Sequence, residues 1–105
     1  MLDIETWLET TGLKVTEETF TNTPPPLPYI CFTDDSDVGG ADDKNCIADR
    51  NINIELYSLK IDRVSESKIE NLLNEKAIKY SRDRIWIDTE QMFETIYDFS
   101  ILEKF

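Results

Sequence analysis

The chain has no histidine, two cysteines, three glycines and only eleven basic residues among 105. Without histidine, the commonest general base, proton shuttle and metal ligand is missing. No GxSxG, Walker, GxGxxG, CxxC or HExxH pattern occurs, which removes the nucleophile-elbow, P-loop, dinucleotide-binding and zinc-helix chemistries. Two-carboxylate catalysis needs no histidine. Here, however, nearly every Asp and Glu falls in an expected loop or on an expected wet face, so the sequence reads as non-enzymatic and without a cofactor. Cys31 and Cys46 make neither a metal pattern nor a disulfide framework. They flank an acidic stretch at similar distances from its middle, so a hairpin would set them opposite each other. The expectation is two reduced, partly buried thiols. No apolar run approaches the roughly 18 residues that cross a bilayer. The start MLDIETWLE carries acids where a signal peptide carries bases, so no export signal is expected.

Scarce bases leave a net charge of −11, unevenly placed. Residues 1–59 hold twelve acids against three bases, whereas residues 60–105 hold ten against eight. Phosphate affinity needs a basic patch, so nucleic-acid binding of the ordinary kind is disfavoured. A negative surface suits solubility, a cation, a basic partner or repulsion of DNA. Apolar residues make up 40% and aromatics 10%, which is enough for one packed domain and too much for a disordered acidic chain.

Periodicity predicts an α+β domain in the order α-β-β-α-β-β, with two helices on a mostly antiparallel sheet. Ile4, Trp7, Leu8 and Thr11 share a helical face behind Asp3, and Gly12 is a glycine stop. Lys14–Phe20 reads as a short strand or extended arm. Residues 21–28 (TNTPPPLP) are a stiff proline-rich spacer that neither a helix nor a central strand accommodates. Pro28–Thr33 and Ile47–Leu59 read as antiparallel strands. In the second, Ile52, Ile54 and Leu56 alternate with Asn51, Asn53 and Glu55, and Tyr57 falls on the wet side. Asp62–Ala77 is a helix with Asp62 as N-cap, an apolar stripe of Val64, Ile69, Leu72 and Leu73, and a solvated remainder that includes Glu66. Ile78–Ser81 and Arg84–Asp88 are two short β-prone runs. Met92–Leu102 fits helical spacing through Phe93, Ile96, Tyr97 and Ile101. It fits strand alternation through Phe93, Thr95, Tyr97, Phe99 and Ile101, and strand is preferred because these are almost all β-branched or aromatic. Trp86, beside Ile85 and Ile87, is expected in the core.

Residues 34–45 (DDSDVGGADDKN) then form an acidic hairpin loop with five aspartates, Asp34, Asp35, Asp37, Asp42 and Asp43. Against the EF-hand pattern, starting at Asp35, position 5 is Gly39 and position 12 is Cys46, so two essential oxygen ligands are missing and a dedicated calcium site is excluded. Three roles fit the stretch: weak Mg²⁺ or Ca²⁺ binding, a solvated tip kept non-sticky by charge, or a contact surface in an assembly.

Trp7-Leu8-Glu9-Thr10-Thr11-Gly12-Leu13, Leu27-Pro28-Tyr29-Ile30, Asn53-Ile54-Glu55-Leu56-Tyr57, the helix Ser65–Glu75, Trp86-Ile87-Asp88 and Tyr97-Asp98-Phe99 follow one another in a familiar succession. It resembles the tail terminator, or tail completion (head–tail joining), proteins of long-tailed phages and prophages of Gram-positive bacteria, over nearly the whole chain. The resemblance implies a non-enzymatic virion protein, made in the host cytoplasm. It implies a homo-oligomeric ring, typically hexameric, that caps the tail tube and joins it to the head connector, with no membrane and no specific nucleic-acid partner. In such a ring the five aspartates would line a bore or a subunit contact, and crowded carboxylates would make assembly favoured by salt or Mg²⁺. Two other classes remain in view: an acidic inhibitor that mimics DNA, and a cation-binding interaction module.

Overall fold

A computed structural model describes residues 2–39 and 47–104. The order is α1 (Ile4–Glu9), β1 (Lys14–Glu17), β2 (Tyr29–Gly39), β3 (Ile47–Ser58), α2 (Arg63–Glu75), β4 (Ser81–Ile87) and β5 (Met92–Lys104). The five strands form one sheet in the order β1-β2-β3-β5-β4. β1 pairs with β2 in parallel and the other pairings are antiparallel. This is the expected α+β class, with the Lys14 segment as an added edge strand.

The helix ends are set by local chemistry. Asp3 accepts from the Thr6 N–H at 3.2 Å, and the Thr10 and Thr11 hydroxyls donate to the Trp7 and Leu8 carbonyls at 2.6 and 2.7 Å. Gly12 turns the chain at φ +85°, a conformation that costs glycine little. Six residues do not hold a helix alone, so α1 depends on burying Ile4 and Leu8. Asp62 caps α2 through the Ser65 N–H at 3.0 Å. At the other end Ile78 N–H reaches the Leu73 carbonyl and Ala77 N–H the Asn74 carbonyl, both at 3.0 Å, with Ala77 at φ +54°. This is a Schellman stop with alanine in the place glycine usually takes.

Strand parity gives the sheet two unlike faces. On one, Ile30, Phe32, Ile52, Ile54, Leu56, Tyr97 and Phe99 are buried together with Ile4, Leu8, Ile69 and Leu73 from the helices. Both helices lie there. The opposite face carries no helix; residues 18–24 cover one end of it, with Phe20 edge-on to Tyr29 at 5.3 Å.

Several expectations are corrected. β2 continues to Gly39, so the first half of the expected acidic loop, residues 34–39, is strand paired with residues 47–52. Cys31 lies opposite Glu55 rather than opposite Cys46; it is a buried free thiol, and Cys46 lies outside the described residues. The two runs flanking Arg82–Asp83 are replaced by one strand, β4, because β5 supplies a continuous ladder from Met92 to Asp98. Val64 is 69% exposed rather than core, while Glu66, assigned to the solvated side, is 2% exposed. α2 is rotated so that Glu66 meets Arg84. Trp86 is 44% exposed, because β4 is an edge strand; Phe93 flanks it at 4.8 Å between ring centroids. Tyr57 is half-buried rather than wet.

Candidate functional site

The register decides where the acidic residues point. Asp34 falls on the helix-side face, where it pairs with Arg50. Arg50 is 3% exposed. Its guanidinium donates to both Asp34 oxygens, to Glu103 Oε1 at 2.6 Å and to the Leu2 carbonyl at 2.8 Å. The Glu103 Oε2 in turn accepts from the Leu2 N–H at 3.0 Å. Burial opposes ionisation of Glu103, yet the Leu2 and Arg50 hydrogen bonds outweigh it and hold the carboxyl below its ordinary range. Asp34 therefore neutralises a buried cation.

Asp35 is exposed on the opposite, helix-free face. Asp37 belongs to β2 in register with Asp49. Asp42 and Asp43 lie outside the described residues. Of the two aspartates whose side chains are described, Asp34 pairs with Arg50, and Asp35 joins a larger set on the open face.

That set is the open face itself. Parity places Asp35, Asp49, Glu55, Asp83, Glu94 and Asp98 on it, with Lys14 at the β1 edge. The nearest two on one strand, Glu94 and Asp98, are four residues or about 14 Å apart, so the carboxylates are spread over the face and not clustered. Asn53 donates to Asp98 at 2.7 Å and Ser100 donates to Asn51 at 2.7 Å, fixing the middle of the face. Toward its covered end, the Tyr57 hydroxyl lies 2.5 Å from Glu55 Oε2 and 3.0 Å from Glu94 Oε2. Burial first, and then the Glu55 carboxylate beside it, push the Glu94 carboxyl above its ordinary value. Burial and these two acids also raise the Tyr57 phenol. Cys31, next to this group, is pushed up to about 11, chiefly by burial, so it stays a thiol. The signal for this face was in the sequence: Glu94 and Asp98 alternate with the apolar residues of β5.

Glu66 is the second residue the sequence reading missed. Its carboxylate accepts from Arg84 Nε and Nη2 at 2.9 and 2.7 Å and from the buried Thr95 hydroxyl at 2.9 Å. Burial pulls its pKa upward, but the Arg84 and Thr95 hydrogen bonds and the Arg84 charge more than compensate, leaving it below the ordinary range. Glu70 accepts from Arg82 and from the Tyr97 hydroxyl, both at 2.8 Å. The helix face thus absorbs the arginines of β4, and the open face keeps the acids.

Among the described residues, no three Asp, Glu, Cys or His side chains converge as a metal site, and no helix is long and apolar enough to cross a membrane. No family model matches the chain, and no curated protein matches it. Among solved structures, a chain in the virion of a native gene transfer agent particle is similar, with a TM-score of 0.60 over 93% of this chain and 84% of that one, at 13% identity. At that identity the likeness establishes a shared fold.

Proposed function

We propose that this chain is a non-enzymatic virion subunit that caps the tail tube and joins it to the head connector, as a homo-oligomeric ring around the DNA path. The observation that carries this reading is the helix-free sheet face with carboxylates from four of its strands, Asp35, Asp49, Glu55, Asp83, Glu94 and Asp98. A surface that DNA must pass without sticking needs the reverse of the basic patch that binds phosphate. The likeness to a chain of a gene transfer agent virion supports a phage-like structural role. The sequence resemblance to tail terminator and completion proteins supports the junction.

The test has two parts. The mass of the purified protein, with and without Mg²⁺, is expected to rise to that of a closed ring, and particles are expected to carry the protein at the tail end. A strict monomer at high concentration, together with its absence from particles, would count against the proposal. Lysines in place of Asp83 and Asp98 are expected to leave a folded protein that retains DNA; normal DNA passage by that variant would sink the bore-lining role.

One observation favours a second reading. The open-face carboxylates come from four strands and spread over the surface, and such a spread also suits a DNA mimic. A mimic would act as a monomer and displace DNA from a basic protein, so the mass measurement and a DNA-competition assay separate the two.

A further inference from the structure

We propose that the two ends of the sheet are complementary docking surfaces, so that the inner end of one copy receives the outer end of the next. This rests on the ring reading and names its subunit contact.

β3 runs about 37 Å from Ile47 to Ser58, along a molecule 49 Å in its longest dimension. Its inner end opens onto a groove of about 630 Å³ lined by Leu27, Leu59, Ile61 and Val64 among others. Leu59 is 66%, Ile61 45% and Val64 69% exposed. Three such residues within six positions make an apolar patch of the kind that marks an interaction site. Ser58 also lines this groove, and its hydroxyl is buried without a hydrogen-bond partner among the described residues, an arrangement that calls for a polar group from an occupant. Lys60 and Arg63 stand exposed on the rim. Asp62, between them, is engaged in capping α2.

The outer end has the opposite chemistry. Leu102, 73% exposed, projects there opposite Asp49 in the ladder, and Asp35 lies on the same face. An apolar knob among carboxylates fits an apolar groove rimmed by Lys60 and Arg63, and it brings acceptors within reach of the Ser58 hydroxyl. Because the two patches differ, the contact is heterologous, the type that generates rings when the rotation closes. The contact takes the Asp35 and Asp49 end of the open face and leaves Asp83, Glu94 and Asp98 for the bore, so one ring can use both.

The experiment compares wild type, K60E/R63E, D35K/D49K and the four-fold variant by sedimentation equilibrium at one salt and Mg²⁺ concentration. Each double variant is expected to lose self-association by about 100-fold through like-charge contact. The four-fold variant, which has the wild-type net charge and restores opposite signs across the contact, is expected to recover it. All the altered residues are exposed, so thermal melts should remain close to wild type and verify folding. Wild-type assembly by K60E/R63E, or a four-fold variant as dissociated as the doubles, would overturn the docking contact and leave the ring reading standing. A wild-type protein that is monomeric throughout and absent from particles would overturn the ring reading, and the contact with it.

Discussion

Replacing Glu66 with alanine is the most informative single perturbation. The carboxylate holds three hydrogen bonds, two from the Arg84 fork and one from Thr95, and is itself 2% exposed. Removing one partner of a buried pair costs about 3–5 kcal/mol, most of it from stranding the other. Arg84 keeps 22% side-chain exposure and can recover some hydration, which lowers the figure. Thr95, 1% exposed, cannot, and an orphaned buried hydroxyl costs about 1–3 kcal/mol. Together these give a loss of about 3 kcal/mol, a large share of the ~5–15 kcal/mol that holds a domain folded. For about 100 residues that is a Tm decrease of roughly 15 °C. Glu66→Gln, which retains an acceptor for Thr95, should lose about half as much. Thermal melts of Glu66→Ala, Arg84→Ala and the double variant form a cycle whose coupling should be about 1–3 kcal/mol. Leucine at both positions should stand within about 1 kcal/mol of wild type, since two apolar groups leave no unpaired charge. A coupling below about 0.5 kcal/mol, or a Glu66→Ala loss below about 1 kcal/mol, would refute the argument that Glu66 is buried for its partners.

Arg50→Met should strand Asp34 and Glu103 and release Leu2, costing about 3 kcal/mol; hydrogen exchange should rise first at the N-terminus and the end of β5. Ala77→Gly should raise stability by about 1 kcal/mol, because the residue sits at φ +54°, where an L side chain is penalised and glycine is not; an unchanged urea midpoint would contradict the Schellman stop. The folded protein holds Glu66 and Glu103 below the ordinary value of 4.5, so their contribution is complete above pH 4.5 and disappears as pH falls below it. Glu94 is raised above 4.5 and has the opposite sign: its contribution is present below 4.5 and is lost as pH rises through its folded value. Melts across pH should therefore show acid destabilisation below 4.5. Glu94→Gln should raise Tm at pH 7 but not at pH 4, and an equal effect at both would contradict the assignment.

The elements were largely legible because their signals are local. Asp3 and Asp62 mark helix starts, Gly12 marks a stop, and the alternation in β3 and β5 identifies strands and their buried faces. What failed were statements about partners distant in sequence. Val64 and Glu66 both fit the amphipathic pattern of α2 in the expected rotation. Arg84, eighteen residues on, reverses their roles, since a buried arginine fork needs a carboxylate more than the core needs one more valine. Trp86 fits a core pattern, but the strand order β3-β5-β4 leaves it at an edge.

The candidate site shows the same division. By itself the sequence determined that the chain is strongly anionic, lacks histidine and has few bases before residue 60, because charge and composition need no neighbours. Only the tertiary structure decided what those acids do. Ladder register sends Asp34 inward to Arg50 and Asp35 outward, a separation of one residue with opposite consequences, because successive side chains on a strand take opposite faces. It also brings Asp49, Glu55, Asp83, Glu94 and Asp98 from three strands onto the same surface. Position in sequence suggested a loop; pairing across strands makes a face.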